Sequence, residues 1–313
     1  MRILLTGTGY SDPDIARLCQ AGYEVIRREH VSASDLREII PTLEAYVLGG
    51  EERLDAQILC RADRLRLISF VGTGYGDFLD AAAAAERGIE IRNTPSIAGP
   101  AVAEHTLGLL LGLVRGLFAH NAAVKAGYSG PGASRELADI VVGIVGLGDI
   151  GSRVARILRH GFGTTVLYAS RTRKTDLERE LGLEHVDRQH LFASVDAVIL
   201  LAPIAPATIG MVDAKLLEAA RPGLFLINTA GARLVDPQAL KRALDSGHVA
   251  AAAFDSYWIE PLPAPDKDPF GLLGLPDASF VVTPHVAAKT TGSWNRMLHL
   301  AVENVIAQTH DRA

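Results

Sequence analysis

Cysteine is scarce in this chain: its 313 residues include two, Cys19 and Cys60. Two thiols make neither a disulfide framework nor a metal cluster. They read as small buried hydrophobes in a reducing compartment, and no metal site is expected. Basic charge is not in excess. With 31 Lys and Arg against 36 Asp and Glu, the net charge is −5 and the pI near 6.1, so the positive footprint of a nucleic-acid binder is missing. Long apolar runs are missing too. The most apolar stretch, Thr106 to Val114, lies between Glu104, His105 and Arg115, and has about half the length of a membrane span. The opening Met1-Arg2-Ile3-Leu4-Leu5 is too short for a signal peptide and reads as a first strand. No low-complexity linker interrupts the chain. The expectation is a cytoplasmic protein without nucleic-acid or membrane partners. What is present, 48% hydrophobic and 21% charged residues, suits a sizeable core and a length for two domains.

The first hundred residues alternate strand and helix. Strands are predicted at Arg2–Leu5, Glu24–Arg28, Ala45–Leu48, Leu65–Val71 and Ile89–Arg92. Helices are predicted at Asp14–Ala21, Ser34–Leu43, Ala56–Ala62 and Asp80–Arg87, with Asp14 and Ser34 as N-caps. This alternation predicts an α/β fold, a parallel sheet with helices on both faces. Asn93-Thr94-Pro95 to Pro100 marks a domain boundary. A helix from Ala101 to Ala126, apolar on nearly every side, is expected to be buried, and Tyr128–Ala133 to form a surface loop. A second alternation follows, with strands at Ile140–Val145, Thr165–Tyr168, Ala197–Leu201, Leu224–Asn228, Val249–Phe254 and Phe280–Val282. Asp236, Pro237 and Gly247 bracket one of its helices as N-cap, first residue and terminator.

At the head of that second set, the apolar run Ile140–Val145 enters Gly146-Leu147-Gly148-Asp149-Ile150-Gly151. Val154, Ile157 and Leu158 then recur at helical spacing. Glycines at a strand-to-helix turn permit the tight turn, a close backbone approach to a pyrophosphate, and close packing of helix on strand. The helix N-terminus offers unpaired N–H groups to the phosphates. Dinucleotide binding is the expectation, against a glycine turn that binds nothing. The second strand of this set ends in Tyr168-Ala169-Ser170-Arg171-Thr172-Arg173-Lys174. An acid at that place binds the ribose 2′-hydroxyl of NAD, whereas arginine accommodates the 2′-phosphate of NADP. No acid is present, so Ser170, Arg171, Thr172 and Arg173 favour NADP(H) over NAD(H).

Taken together, the motifs resemble the D-isomer-specific 2-hydroxyacid dehydrogenase family over nearly the whole chain. They are Val71-Gly72-Thr73-Gly74-Tyr75, Asn93-Thr94-Pro95, Ala101-Val102-Ala103-Glu104-His105-Thr106, Gly146–Gly151, Ile227–Asp236, Phe254–Pro261 and Thr283-Pro284-His285. The resemblance implies two Rossmann-like domains. A flavodoxin-like substrate-binding domain would be made of residues 1–98 and 286–313, and a doubly wound dinucleotide-binding domain, 99–285, would be inserted into it. It implies a homodimer formed through the inserted domain, and a cleft between domains for nicotinamide and substrate. It also implies a hydride exchange between the cofactor and a small 2-oxo or 2-hydroxy acid of glyoxylate or hydroxypyruvate type.

Residue by residue, the resemblance makes His285 the acid/base and Glu260 its carboxylate partner. Taken alone, each fits an ordinary loop residue better. Gly72, Thr73 and Gly74 would offer N–H groups to the substrate carboxylate, although the loop runs one residue longer than the family's. Asp149, Ile150, Thr229 and Asp255 would lie along the cofactor, Asp255 near the nicotinamide carboxamide. One position departs: Gly231 stands where the family has the arginine that grips the substrate. Three outcomes are open. Arg233, two residues on and on the same side of an extended segment, takes over; or Gly231 opens room for a larger or differently charged substrate; or the ordinary reaction is lost and the chain is a dinucleotide-binding sensor or scaffold.

Overall fold

The computed structural model describes residues 1–76, 78–128 and 134–310. Its first elements alternate as strand and helix: β1 (Arg2–Thr6), α1 (Asp12–Gln20), β2 (Glu24–Arg28), α2 (Ala33–Ile39), β3 (Ala45–Leu48), α3 (Ala56–Leu59), β4 (Leu67–Phe70), α4 (Ala81–Glu86) and β5 (Glu90–Arg92). The strands pair in parallel in the order β2-β1-β3-β4-β5, the flavodoxin arrangement. Two helix starts differ from expectation. Ser11 caps α1, accepting from the Asp14 N–H while its hydroxyl donates to the Asp14 carboxylate, and Ser32 caps α2 by accepting from the Asp35 N–H. A serine oxygen three residues ahead of a free N–H satisfies an orphan donor, which displaces Asp14 and Ser34 from the cap.

The long apolar helix is two helices. α5 (Gly99–Val114) and α6 (Leu117–Lys125) meet at a 58° bend, where Gly116 adopts φ 63°. The left-handed backbone suits glycine, and it ends one helix before the next begins. α5 is buried along most of its length; α6 buries no residue. No single helix among the described residues is long and apolar enough to cross a membrane. Of the loop expected at Tyr128–Ala133, residues 129–133 lie outside the described residues.

The second sheet follows: β6 (Val141–Val145), α7 (Asp149–Phe162), β7 (Thr165–Ala169), α8 (Thr175–Leu181), β8 (Glu184–His185), α9 (Arg188–Ser194), β9 (Ala197–Leu200), α10 (Ala214–Glu218), β10 (Leu224–Asn228), α11 (Pro237–Asp245), β11 (Val249–Phe254) and β12 (Phe280–Val282). α12 (Thr291–His310) ends the described chain. The strands run parallel in the order β12-β11-β10-β9-β6-β7-β8. The seventh strand, β8, has two residues, too few to leave a periodic signal. Both faces of the sheet are covered: on β9, Val198 and Leu200 enter one core cluster while Ala197 and Ile199 enter the other. That is the alternation a doubly covered strand requires.

Two compact units result, Met1–Ala98 with the chain from Ala288, and Gly99–Ala287. In the first, α12 packs on β3, β4 and α1. Cys19 and Cys60 both lie in this unit, unpaired and exposed, so the expectation of buried thiols was wrong. Short helices α1 and α3 bury Leu18, Ile58 and Leu59 instead and leave each cysteine outward.

A buried carboxylate holds the second unit at the N-terminal edge of its sheet. Asp196, 7% exposed, accepts from the Val141 N–H at 2.9 Å and pairs with Arg135 at 2.8 Å and Arg221 at 3.0 Å. Burial by itself would raise its pKa. The Val141 and Arg135 hydrogen bonds and the two guanidinium charges outweigh that, and the pKa lies below the ordinary carboxylate value. A depressed folded-state pKa contributes stability above the unfolded value, which is lost as pH falls through the folded one. Asp196→Asn is therefore expected to cost about 2 kcal/mol at pH 7, measured by urea unfolding. The gap from the native chain should close as the pH drops below about 4.

Candidate active site

At the crossover between β6 and β9 the strand order reverses, which in open parallel sheets is where ligands dock. Gly146 sits there with φ 101°, and a Cβ on it would lie 2.7 Å from the Ala202 nitrogen. A Cβ on Gly151 would strike the Gly146 carbonyl oxygen. Gly148, by contrast, faces open space and N-caps α7 without any side-chain hydrogen bond. A 14-residue helix thus starts with uncapped N–H groups beside a glycine cradle, which fits a dinucleotide pyrophosphate. Asp149, in that first turn, is paired with Arg153 at 3.1 Å. Ile150 packs against the core cluster behind the turn. Thr229, at the end of β10, shares a 2.7 Å hydrogen bond with Thr106 of α5.

The basic turn after β7 is more ordered than its composition suggests. The Ser170 hydroxyl donates to the Thr172 carbonyl at 2.6 Å, and the Lys174 N–H donates to the Tyr168 hydroxyl at 2.7 Å. Arg173 is not presented as a phosphate ligand: its guanidinium grips both Glu178 carboxylate oxygens, with Nε–Oε1 and Nη2–Oε2 at 2.9 Å. Arg171 is exposed and makes no ion pair among the described residues.

His285 carries φ 54°, an outlier for a residue other than glycine, and such strain gathers at functional sites. Its Nδ1 lies 3.1 Å from Glu260 Oε2, so sequence positions 25 apart meet as expected. Asp255 proves to be the residue that builds this loop. It is 3% exposed, and it accepts from the Thr283 hydroxyl (2.5 Å), the Val286 N–H (3.0 Å) and the Ala287 N–H (2.7 Å). His105 of α5 stands 3.1 Å from Thr283 Oγ1 and 3.4 Å from Asp255. Asp255 thus has a structural role that the sequence did not show, holding the loop that carries His285.

Gly231 has φ 148°, and the end of the Ile204 side chain, Cδ1, lies where a Cβ would be. The turn is fixed by Asn228, whose Oδ1 accepts from the Ala230 and Gly231 N–H groups and whose Nδ2 donates to the Gly231 carbonyl, and by Ser256, which accepts from the Ala232 N–H. Residues 232–234 form a 3-10 turn, so the extended-segment argument for Arg233 fails. The turn instead buries Ala232 and Leu234 and leaves Arg233 exposed between them.

In the first unit, Gly72 gives its N–H to Thr94 Oγ1 at 2.9 Å, and Asn93 Nδ2 donates to the Thr73 carbonyl. Gly72 is therefore not a ligand for a carboxylate. The N–H groups of Thr73 and Gly74 make no backbone hydrogen bond among the described residues. Three further histidines are engaged: ring nitrogens of His185, His248 and His299 meet the Ser170 carbonyl, the Ala220 carbonyl and the Asp14 carboxylate. Ile204, Glu178 and the anchoring role of Asp255 were missed. Only Glu178 had a visible signal, an acid on the helix just after a basic turn.

Residues 107–287 match the family model described as D-isomer specific 2-hydroxyacid dehydrogenase, NAD binding domain. The chain is 33% identical to a glyoxylate reductase of Pyrococcus furiosus over 281 residues, which cover 87% of this chain and 81% of that protein. It is 34% identical to a glyoxylate reductase of Thermococcus kodakarensis over 277 residues, 85% of this chain and 80% of that one. Among solved structures, a D-lactate dehydrogenase from Aquifex aeolicus, complexed with NAD and lactic acid, superposes with a TM-score of 0.86. It is 26% identical, with 99% of this chain and 96% of that one covered. The TT0316 protein of Thermus thermophilus superposes with a TM-score of 0.85 at 32% identity, covering 100% and 98%.

Proposed function

The chain belongs to the D-isomer-specific 2-hydroxyacid dehydrogenase family, an oxidoreductase of 2-oxo and 2-hydroxy acids, and on that premise we propose that it reduces a small 2-oxo acid of glyoxylate or hydroxypyruvate type with NADPH. The observation that carries the reading is the strained His285 with its Nδ1 on Glu260. A bound nicotinamide cofactor supplies the hydride. Glu260 holds the Nδ1 proton and orients the ring, so that His285 Nε2 delivers the proton to the substrate's carbonyl oxygen.

The Gly146–Gly151 turn and the first N–H groups of α7 hold the pyrophosphate, and Arg171 with Thr172 meets the ribose 2′-phosphate. Arg233, the exposed residue of its 3-10 turn, supplies the positive charge for a substrate carboxylate, and the Thr73 and Gly74 N–H groups offer donors to a carboxylate. A steady-state panel of 2-oxo acids tests this: glyoxylate or hydroxypyruvate should be turned over with NADPH in preference to NADH, and no NADPH oxidation with any 2-oxo acid would sink it.

We place the protein in the cytoplasm, in keeping with its two exposed, unpaired cysteines, and assign it a homodimer through the dinucleotide-binding unit. α6 supports the dimer, since Leu117 and Val124 on it and Tyr128 just past it are 57%, 65% and 58% exposed, an apolar face that favours covering. Light scattering should give twice the 33.4 kDa chain mass.

A further inference from the structure

The turn after β7 holds two guanidinium groups in different states. Arg171 is exposed and makes no ion pair among the described residues. Arg173 is also mostly exposed, at 63%, yet it is clasped by Glu178, whose side chain is 13% exposed. The clasp is bidentate, with contacts of 2.9, 2.9 and 3.1 Å. Glu178 is itself held from below. The hydroxyl of Tyr168, a residue with no exposed surface on β7, donates to Oε1 at 2.6 Å and in turn accepts from the Lys174 N–H. The carboxylate is thus fixed by the sheet, and Arg173 comes to it. Its pKa is pulled down to about 2, first by the Arg173 hydrogen bonds and then by Tyr168, so it stays charged across the physiological range.

We propose that Glu178 is a brake on cofactor selectivity: by holding Arg173 it leaves Arg171 as the guanidinium presented to a phosphate on the adenosine ribose, so a 2′-phosphate meets one guanidinium where the turn contains two. The proposal rests on the reading that this turn lies at the ribose of the bound cofactor. Bidentate pairing with a carboxylate uses the same N–H fork that would bind a phosphate, so Arg173 cannot serve both. The fixed negative charge also lowers the potential felt by an incoming phosphate. Glu178 acts through Arg173 and touches no reacting atom; it is a positioning residue.

The test is the affinity of the full chain for 2′,5′-ADP and for 5′-AMP, which differ by the 2′-phosphate alone. Glu178→Gln keeps an acceptor for Tyr168 and removes the charge. It should tighten 2′,5′-ADP by roughly tenfold, the effect of one added charge-assisted contact near solvent, and shift 5′-AMP less than about twofold. The gain should shrink at high salt and vanish in the Glu178→Gln/Arg173→Gln double variant. Arg173→Gln alone, which leaves Glu178 on Tyr168, should change neither affinity by more than about twofold, because the guanidinium is already withheld. A merely structural role predicts the opposite, weaker binding of both nucleotides in Glu178→Gln, and that result overturns the proposal. So does a selective loss of 2′,5′-ADP binding in Arg173→Gln alone. If the native chain shows no preference for 2′,5′-ADP but Glu178→Gln creates one, the NADPH reading fails and the brake stands.

Discussion

His285→Asn is expected to lower kcat by about 10²- to 10⁴-fold, the range of a lost general acid, with little change in the affinity for NADPH. Asparagine is the informative replacement because His285 sits at φ 54°. Asn tolerates that left-handed backbone better than other non-glycine residues, so the loop that Asp255 fixes through Thr283, Val286 and Ala287 should persist. Glu260→Gln keeps an acceptor for Nδ1 but removes the charge, and its effect on kcat should be smaller. Single-turnover rates with saturating substrate, together with cofactor titration by fluorescence, separate the chemical step from binding. If His285→Asn kept more than a third of the native kcat, another group would have to be the proton donor.

Arg233→Ala should reduce kcat/KM for glyoxylate by about 10²- to 10³-fold, as expected when a charged partner worth 2–5 kcal/mol is removed from a bound carboxylate. Arg233→Lys should recover only part of that loss, since a point charge does not reproduce the planar fork. The companion variant, Gly231→Arg, puts arginine at the position where the family resemblance places it. It should not rescue Arg233→Ala. At φ 148° a side chain is strained whatever the space, and its Cβ meets Ile204 within a turn braced by Asn228 and Ser256. Recovery of glyoxylate turnover in the double variant would show that the original position still works and that Arg233 is not its substitute.

Much of the fold was legible because its signals are local. Parallel strands such as β9 and β10 are buried on both faces and read as short apolar runs, and Asp236-Pro237 with Gly247 marked one helix at both ends. The site was legible in part for the same reason: glycines at a strand-to-helix turn and a histidine just past a strand are contiguous patterns. The failures came where a side chain's partner is distant in sequence or where one backbone angle decides. Nothing near Asp255 announces that it will collect the N–H groups of residues 286 and 287. Nothing in Leu113–Leu117 besides a glycine says that the helix bends.

The sequence alone determined a dinucleotide turn, since residue type and spacing carry it; the pairing of His285 with Glu260 and the arginine absent at position 231 came from the family resemblance. The tertiary structure alone decided what each vacancy or charge amounts to. It filled the space at Gly231 with Ile204, withdrew Arg173 onto Glu178, took Gly72 out of the substrate loop and turned Asp255 into an anchor. The physical reason is common to all four. A hydrogen-bond donor or an empty volume is available to a ligand only if no neighbour has claimed it, and the neighbours are chosen by the fold.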